Sequence, residues 1–477
     1  MNERYRLLEQ LKHYTETGLY PMHMPGHKRR VAPAPELPFG WDMTEVEGVD
    51  DLHEAEGILR QAMDRTARLH GAAQTWYLVN GSTCGLLAGI RALAPAGSRI
   101  IAARNCHKAV YHAMELGGLE PRWLLPPVIE PFGVYGSVTP EMVERALQET
   151  PDAACVLLTS PTYEGVISDI AAIANLCHQA GVPLLVDEAH GAHLGLAEGW
   201  PRSAVQLGAD LVVQSAHKTL PSLTQTAYLH LGKHSLVDPV EVERQLDIFE
   251  TSSPSYPLLV SLDGCTGLLA ADGAELFGDW SESLHRFDEK IGTLEKLRVL
   301  CHGADRMESH SEIFAFDPGK LAICTAGTAE TGTSLAARLR KEYGFETEMA
   351  CGRICLAMTS LCDAPTAVDR LAETLVELDR EILASDRQEK LLLPAPGPLC
   401  CTIAQAVLRP AREIPLAEAE GEVSGEYIWA YPPGVPLSAP GETITREFLD
   451  AASALSESGT LLRHTCCKKP GYVQVLT

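Results

Sequence analysis

The sequence predicts an α/β protein, with a large domain built on a mostly parallel sheet and smaller α+β domains toward the C-terminus. Three observations point there. Short runs that are apolar at nearly every residue alternate with stretches of helical spacing, unusual polar residues fall at the carboxyl ends of those runs, and the pattern changes past about residue 300. Strands covered by helices on both faces are buried on both sides, so they read as continuous apolar runs, and ligands sit beyond their carboxyl ends.

The chain opens with "MNERYRLLEQLKHYTETG", an amphipathic helix pattern that begins an N-terminal arm over 1–45 and lacks the unbroken apolar core of a signal peptide. In the large domain, expected over 46–300, "TWYLVN", "SRIIAA", "AACVLLT", "VPLLVDEA" and "ADLVVQSA" read as buried strands, and "TPEMVERALQET" and "DIAAIANLCHQAG" as helices. A small α+β domain follows over 301–390, with strands in "EIFAFDPGKLAICTAG" and "RICLAMTS" and helices in "TSLAARLRKEY" and "AVDRLAETLVELDREILA". The Pro-rich stretch "LLLPAPGPL" marks a boundary before a final module, 391–477, that contains "AYPPGVPLSAPGE". There is no internal repeat and no low-complexity segment.

With 39 basic and 63 acidic residues the chain carries a net charge of -24, which argues against nucleic acid or an anionic membrane as the main partner and favours cationic substrates. No run approaches the roughly 18 apolar residues of a membrane span, so a soluble, cytoplasmic protein is expected. The 14 cysteines are scattered, without a C-x-x-C pair, which indicates neither a disulfide framework nor a zinc ribbon; most are expected to be small buried apolar residues.

The chemistry collects at the strand ends. After "TWYLVN", the turn "GSTCG" opens a helix, where backbone N–H groups and the hydroxyls of Ser82 and Thr83 can hold a phosphate; taken alone, the turn reads first as a helix cap. "ARNCHKAVYHA" offers His107. Asp187 in "PLLVDEAHGAHLG" follows four apolar residues, so its carboxylate ends a buried strand and calls for a cationic partner: a metal, a basic side chain or a protonated ring nitrogen. "DEAH" also occurs in nucleotide-driven helicases, but the phosphate loop that chemistry needs is absent. A zinc site on His190 and His193 lacks both a common spacing and an evident third ligand. Lys218, in "VVQSAHKTLPSLTQ", ends the next strand, where partial desolvation makes an amine a nucleophile for carbonyls. An amine, a buried acid, a ring-sized histidine and a hydroxyl turn at the carboxyl ends of one sheet are what pyridoxal phosphate requires.

The chain resembles the ornithine/lysine/arginine decarboxylase family of fold-type I pyridoxal-phosphate enzymes, whose large domain is aspartate aminotransferase-like, and in particular its shorter bacterial members without the N-terminal wing domain. The resemblance rests on "PMHMPGHK", "TEVEGVDDLHEAEGIL", "LVNGSTCG", "RNCHKAVYHA", "PTYEG", "LLVDEAHGAH", "VVQSAHKTLPSLTQ", "TSSPSY" and "YPPGVPLSAPGE", in that order. It implies that Lys218 forms the Schiff base with pyridoxal 5'-phosphate, that Asp187 pairs with the pyridine nitrogen, and that His107 stacks on the ring. Ser82, Thr83, Ser215 and His217 would contact the phosphate, and His190 would approach the ring hydroxyl. His217 or Lys218 would return a proton to the substrate carbon after carbon dioxide leaves. Family members are homodimers or larger assemblies with interface active sites, so Ser252 and Ser253 would reach a partner's phosphate. Glu442 would meet the distal amine of a basic amino acid. No motif separates lysine, ornithine and arginine, and the small Ser438 and Ala439 stand where relatives carry bulkier apolar residues. His23, His27 and Lys28 match the family without an assigned chemical role.

The expected reaction is decarboxylation of a basic amino acid to its amine, in the context of polyamine biosynthesis. A pyridoxal-phosphate aminotransferase or a lyase acting on another amino acid is the alternative. A non-catalytic homologue is disfavoured, because a binding-only descendant needs neither Lys218 nor Asp187.

Overall fold

A computed structural model of the chain describes residues 6–17, 37–385, 394–431, 436–457 and 461–477. His23, His27 and Lys28 lie outside the described residues. Two compact units take alternate stretches of the chain, Met1–Leu93 with Ile170–Gly278, and Ala94–Asp169 with Asp279–Thr477. The boundaries expected from composition, at 45, 300 and 390, run consecutively instead.

In the first unit, Leu184–Asp187 pairs parallel with Leu211–Gln214, bringing Asp187 opposite Val213. Ala227–Leu231 lies antiparallel between Leu211–Gln214 and Gln74–Leu78. This reversed strand, "AYLHL", is absent from the sequence reading, because its histidine breaks the apolar run; it is what makes the sheet mixed rather than wholly parallel. Its register sets Tyr228 opposite Tyr77 and His230 opposite Thr75, which gives one sheet face an unusually polar lining. The other face takes the helix Gly81–Leu93, which comes in on glycines. A Cβ on Gly85 would lie 2.7 Å from Leu78 Cδ1, and one on Gly89 2.8 Å from Leu185 Cδ1. The helix Arg6–Glu16 buries Leu7 and Leu11 completely. Its first turn is tied down by Asp263, which accepts from the Leu7 N–H at 3.1 Å and pairs with Arg65. Asp263 sits on a 36-residue helix, Tyr256–Ile291.

The second unit carries three parallel strands, Val156–Thr159, Arg99–Ala103 and Glu120–Leu124, with Arg99–Ala103 in the middle. The helices Lys108–Gly117 and Pro140–Glu149 lie between them in sequence, the latter capped by the Thr139 hydroxyl with Pro140 in its first turn. An antiparallel sheet of Arg298–Val299, Lys320–Cys324, Ile354–Met358 and Met349–Cys351 follows, with the helices Gly332–Tyr343 and Pro365–Glu381. A last module pairs Ala411–Pro415 with Tyr472–Leu476 and Ile428–Tyr431 with Pro436–Ser438 and Leu461–His464, around a core of Ile428, Ile444, Phe448, Val473 and Val475. All 14 cysteines are free thiols and most are buried. Among the described residues no helix is long and apolar enough to cross a membrane.

Candidate active site

The first unit gathers polar side chains where Leu184–Asp187 and Leu211–Gln214 end. The ladder runs one residue past the first strand, since Glu188 N–H donates to Val213 O at 2.9 Å; there the chain turns and presents Asp187 at the strand tip. Asp187 is 3% exposed and its Oδ1 accepts from Ala189 N–H at 3.1 Å. Burial raises its carboxyl above the ordinary aspartate range, while the positive charge of Lys218 and the Ala189 N–H act the other way. The second strand passes directly into a single helical turn, Ala216–Thr219, capped at Ser215. That turn brings Lys218 Nζ within 3.0 Å of His190 Nε2. An ammonium donates there and the ring nitrogen accepts.

His217, half-buried on the same turn, faces Thr226 O through Nδ1 at 2.9 Å. A carbonyl only accepts, which assigns the proton to Nδ1 and leaves Nε2 as the basic nitrogen. Burial lowers the pKa of this ring, with Lys218 acting in the same direction and the Thr226 contact opposing it. Ser215 is completely buried, and its Oγ has no hydrogen-bond partner among the described residues. A buried hydroxyl without a partner costs free energy unless a ligand satisfies it.

The turn at Asn80–Thr83 supplies the other edge. Gly81 takes φ +76° as it opens the helix, leaving Ser82 half-buried and Thr83 exposed in the first turn, where backbone N–H groups have no intrahelical acceptor. Gln225, itself in the left-handed region at φ 87°, donates from its side chain to Val79 O, so the loop after Lys218 is tied to the turn before Ser82. Gln225 escaped the sequence reading, as did the setting of Glu188. The Glu188 carboxylate is 1% exposed and accepts from Ser203 Oγ at 2.6 Å, Gln214 Nε2 at 2.6 Å and Ala204 N at 2.8 Å. Burial pushes its pKa up to about 7 against those three donors. Gln214 Oε1 in turn meets His230 Nε2 at 2.9 Å, and His230 Nδ1 meets Thr75 Oγ1 at 2.7 Å. Glu188 thus belongs to a polar chain that passes through Gln214 and His230 to Thr75.

Ser252 and Ser253 are exposed, and Ser253 N–H is held by Thr251 Oγ1 at 3.2 Å. His193 is completely buried and stacks edge-on with Trp200 at 5.4 Å. Among the described residues no three His, Cys, Asp or Glu side chains are grouped to hold a metal. In the second unit, His107 caps the helix Lys108–Gly117, its Nδ1 accepting from Ala109 N–H at 3.2 Å. Glu442 is 2% exposed and pairs through both oxygens with the guanidinium of Arg104.

The profile of the Orn/Lys/Arg decarboxylase major domain matches residues 6–337, and that of its C-terminal domain matches residues 400–462. The chain belongs to the Orn/Lys/Arg decarboxylase family. An arginine decarboxylase of Bacillus subtilis is 33% identical over 447 residues, covering 92% of this chain and 90% of that protein. The crystal structure of the Francisella novicida lysine decarboxylase LdcF superposes with a TM-score of 0.83 at 18% identity, covering 99% of this chain and 81% of that one. Ureidoglycine-glyoxylate aminotransferase from Bacillus subtilis shares the fold over 68% of this chain and 84% of its own, with a TM-score of 0.53 at 15% identity. The fold is therefore that of the family, an α/β fold-type I large domain with smaller modules after it.

Proposed function

We propose that the protein removes the α-carboxyl group of a basic amino acid, with pyridoxal 5'-phosphate held on Lys218. The observation that carries the reading is the Lys218–His190 contact at 3.0 Å beside a buried Asp187. The donor set fits the cofactor: an amine for its aldehyde, an acid for its ring nitrogen, and for its phosphate the unsatisfied Ser215 Oγ with Ser82, Thr83 and His217. When bound, pyridoxal phosphate supplies the electron sink that decarboxylation needs.

The chain's own groups do the rest. The buried Asp187 carboxylate, when ionised, would favour a protonated ring nitrogen on the bound cofactor. His190 Nε2 accepts a proton from Lys218 Nζ and so frees the amine for attack on a carbonyl. His217 keeps its Nδ1 proton on Thr226 O, so a contact from Nε2 to the phosphate would need that nitrogen protonated as well, and Lys218 Nζ would be the acid that returns a proton to the substrate carbon. His107 keeps the ring-stacking role that the family resemblance gives it, and the exposed Ser252 and Ser253 are assigned to the phosphate of a second copy in a cytoplasmic homodimer with interface active sites. The similarity to an arginine decarboxylase makes arginine the first substrate to test, with polyamine synthesis as the use of the product.

The test is incubation of the cofactor-loaded protein with arginine, lysine, ornithine and a panel of neutral and acidic amino acids, with products identified by mass. An amine one carboxyl lighter than a basic amino acid is expected, together with a borohydride-stable cofactor tag on Lys218. Absence of amine from all three basic amino acids overturns the reading.

A further inference from the structure

Both carboxylate oxygens of Glu442 already have donors from the chain. Its Oε1 accepts from Arg104 Nη1 at 2.6 Å, and its Oε2 accepts from Arg104 Nη2 at 3.0 Å and from Ala439 N–H at 2.9 Å. Arg104 is equally buried, at 2% exposed, and donates further to Leu437 O at 3.2 Å. Its guanidinium lies over Trp123 at 5.0 Å and Tyr111 at 5.5 Å from the ring centroids. The backbone around Glu442 is held as firmly: Ser424 N–H donates to Glu442 O at 2.8 Å, and Gly441 at φ +89° comes so close to Cys401 O that a Cβ would lie 2.4 Å from it. The "PGE" turn therefore needs its glycine in order to present the carboxylate inward.

Arg104 also ends the strand Arg99–Ala103, three residues before His107. Its N–H continues the ladder to Leu124 O at 2.9 Å, and its carbonyl accepts from Tyr111 Oη at 3.0 Å, one turn into the helix that His107 caps. The guanidinium that Glu442 grips thus belongs to the residue that fixes both ends of the 104–111 turn.

We propose that Glu442 acts as a positioning residue, pinning Arg104 and through it the His107 turn, rather than holding the substrate's distal amine. On this account the C-terminal family domain braces the strand end that bears the ring-stacking histidine. The part of the proposal that concerns His107 rests on the function proposed above.

The variants are Glu442→Gln and Arg104→Lys, alone and combined; if either single change fails to fold, Arg104→Met with Glu442→Leu replaces the pair by apolar groups of similar volume. The measurements are amide exchange over 104–111 in the cofactor-free protein, visible circular dichroism of the bound cofactor, and kcat and KM for arginine, lysine and ornithine. Both single variants should speed exchange over 104–111 and change the cofactor band. They should lower kcat about tenfold or more with KM within about threefold, and the double variant should be no worse than the poorer single one. The proposal is overturned if Glu442→Gln raises KM for basic amino acids about thirtyfold or more while Arg104→Lys does not. Unchanged exchange in both single variants overturns it as well. If the native protein makes no amine from any basic amino acid, the decarboxylase reading fails, while the exchange and cofactor-band measurements still decide the pin.

Discussion

Ser215 shows how a single buried hydroxyl distinguishes a ligand site from packing. Its Oγ has no protein partner among the described residues, so Ser215→Ala should leave the cofactor-free protein at least as stable by thermal or urea unfolding. The same change removes a hydrogen bond to a charged phosphate, worth about 1.5–3 kcal/mol, so affinity for pyridoxal phosphate should fall about tenfold to a hundredfold by fluorescence titration. A loss of stability without a loss of affinity would sink the phosphate assignment. Ser215 and Lys218 were legible in the sequence because they follow an apolar run whose end the fold must expose. Gln225 was not, since its contact with Val79 O spans 146 residues of chain. Arg104 was hidden for the same reason, its partner Glu442 standing 338 residues away.

At the scale of the element, the helix Gly81–Leu93 sets the distance between the Ser82–Thr83 turn and the strand ends, and two glycines set the height of the helix above the sheet. Leu78 and Val213 beneath Gly85 are completely buried and have nowhere to move. Gly85→Val adds three carbons at a point of contact and also carries a branched Cβ. Overpacking of this kind costs about 1–3 kcal/mol, and helix propensity gives little back for valine. The variant should unfold at lower urea by that amount and bind pyridoxal phosphate more weakly, because the helix start is displaced along with its axis. An unchanged cofactor affinity in a destabilised protein would separate the helix from the site. The five apolar runs read as strands all form strands, because burial on both faces leaves little else that such a run can do. The reversed strand Ala227–Leu231 was invisible because its His230 is satisfied only by Thr75 and Gln214 from its neighbours, a pairing that no local pattern encodes. The 36-residue helix Tyr256–Ile291 was missed because glycines at 264, 267, 273 and 278 weaken its local signal, and packing overrides propensity there.

For the whole molecule, the polar sheet face makes stability depend on pH through several buried groups, of which His70 and Glu188 oppose each other while His230 acts in the same direction as His70. His70 is 1% exposed, stacks at 4.8 Å on His230, and neither of its ring nitrogens has a hydrogen-bond partner among the described residues. Burial lowers its pKa from 6.5 to about 4. The unfolded chain therefore binds a proton that the folded one refuses, and stability is lost as pH falls from 6.5 toward 4. Glu188 is the reverse case. Burial lifts it from 4.5 to about 7, so the folded state holds the extra proton, and the stability present below 4.5 is lost as pH rises through 7. Each contribution amounts to about 2 kcal/mol between pH 7 and pH 5, with opposite sign, so the two largely cancel in the native protein. Glu188→Gln removes one side and should make unfolding in urea about 2 kcal/mol more sensitive to acidification over that interval than in the native chain. His70→Phe keeps the stacked ring, removes the proton site, and should shift the same difference by a similar amount in the other direction. Three proteins with equal changes in stability from pH 7 to pH 5 would show that neither buried group carries the coupling.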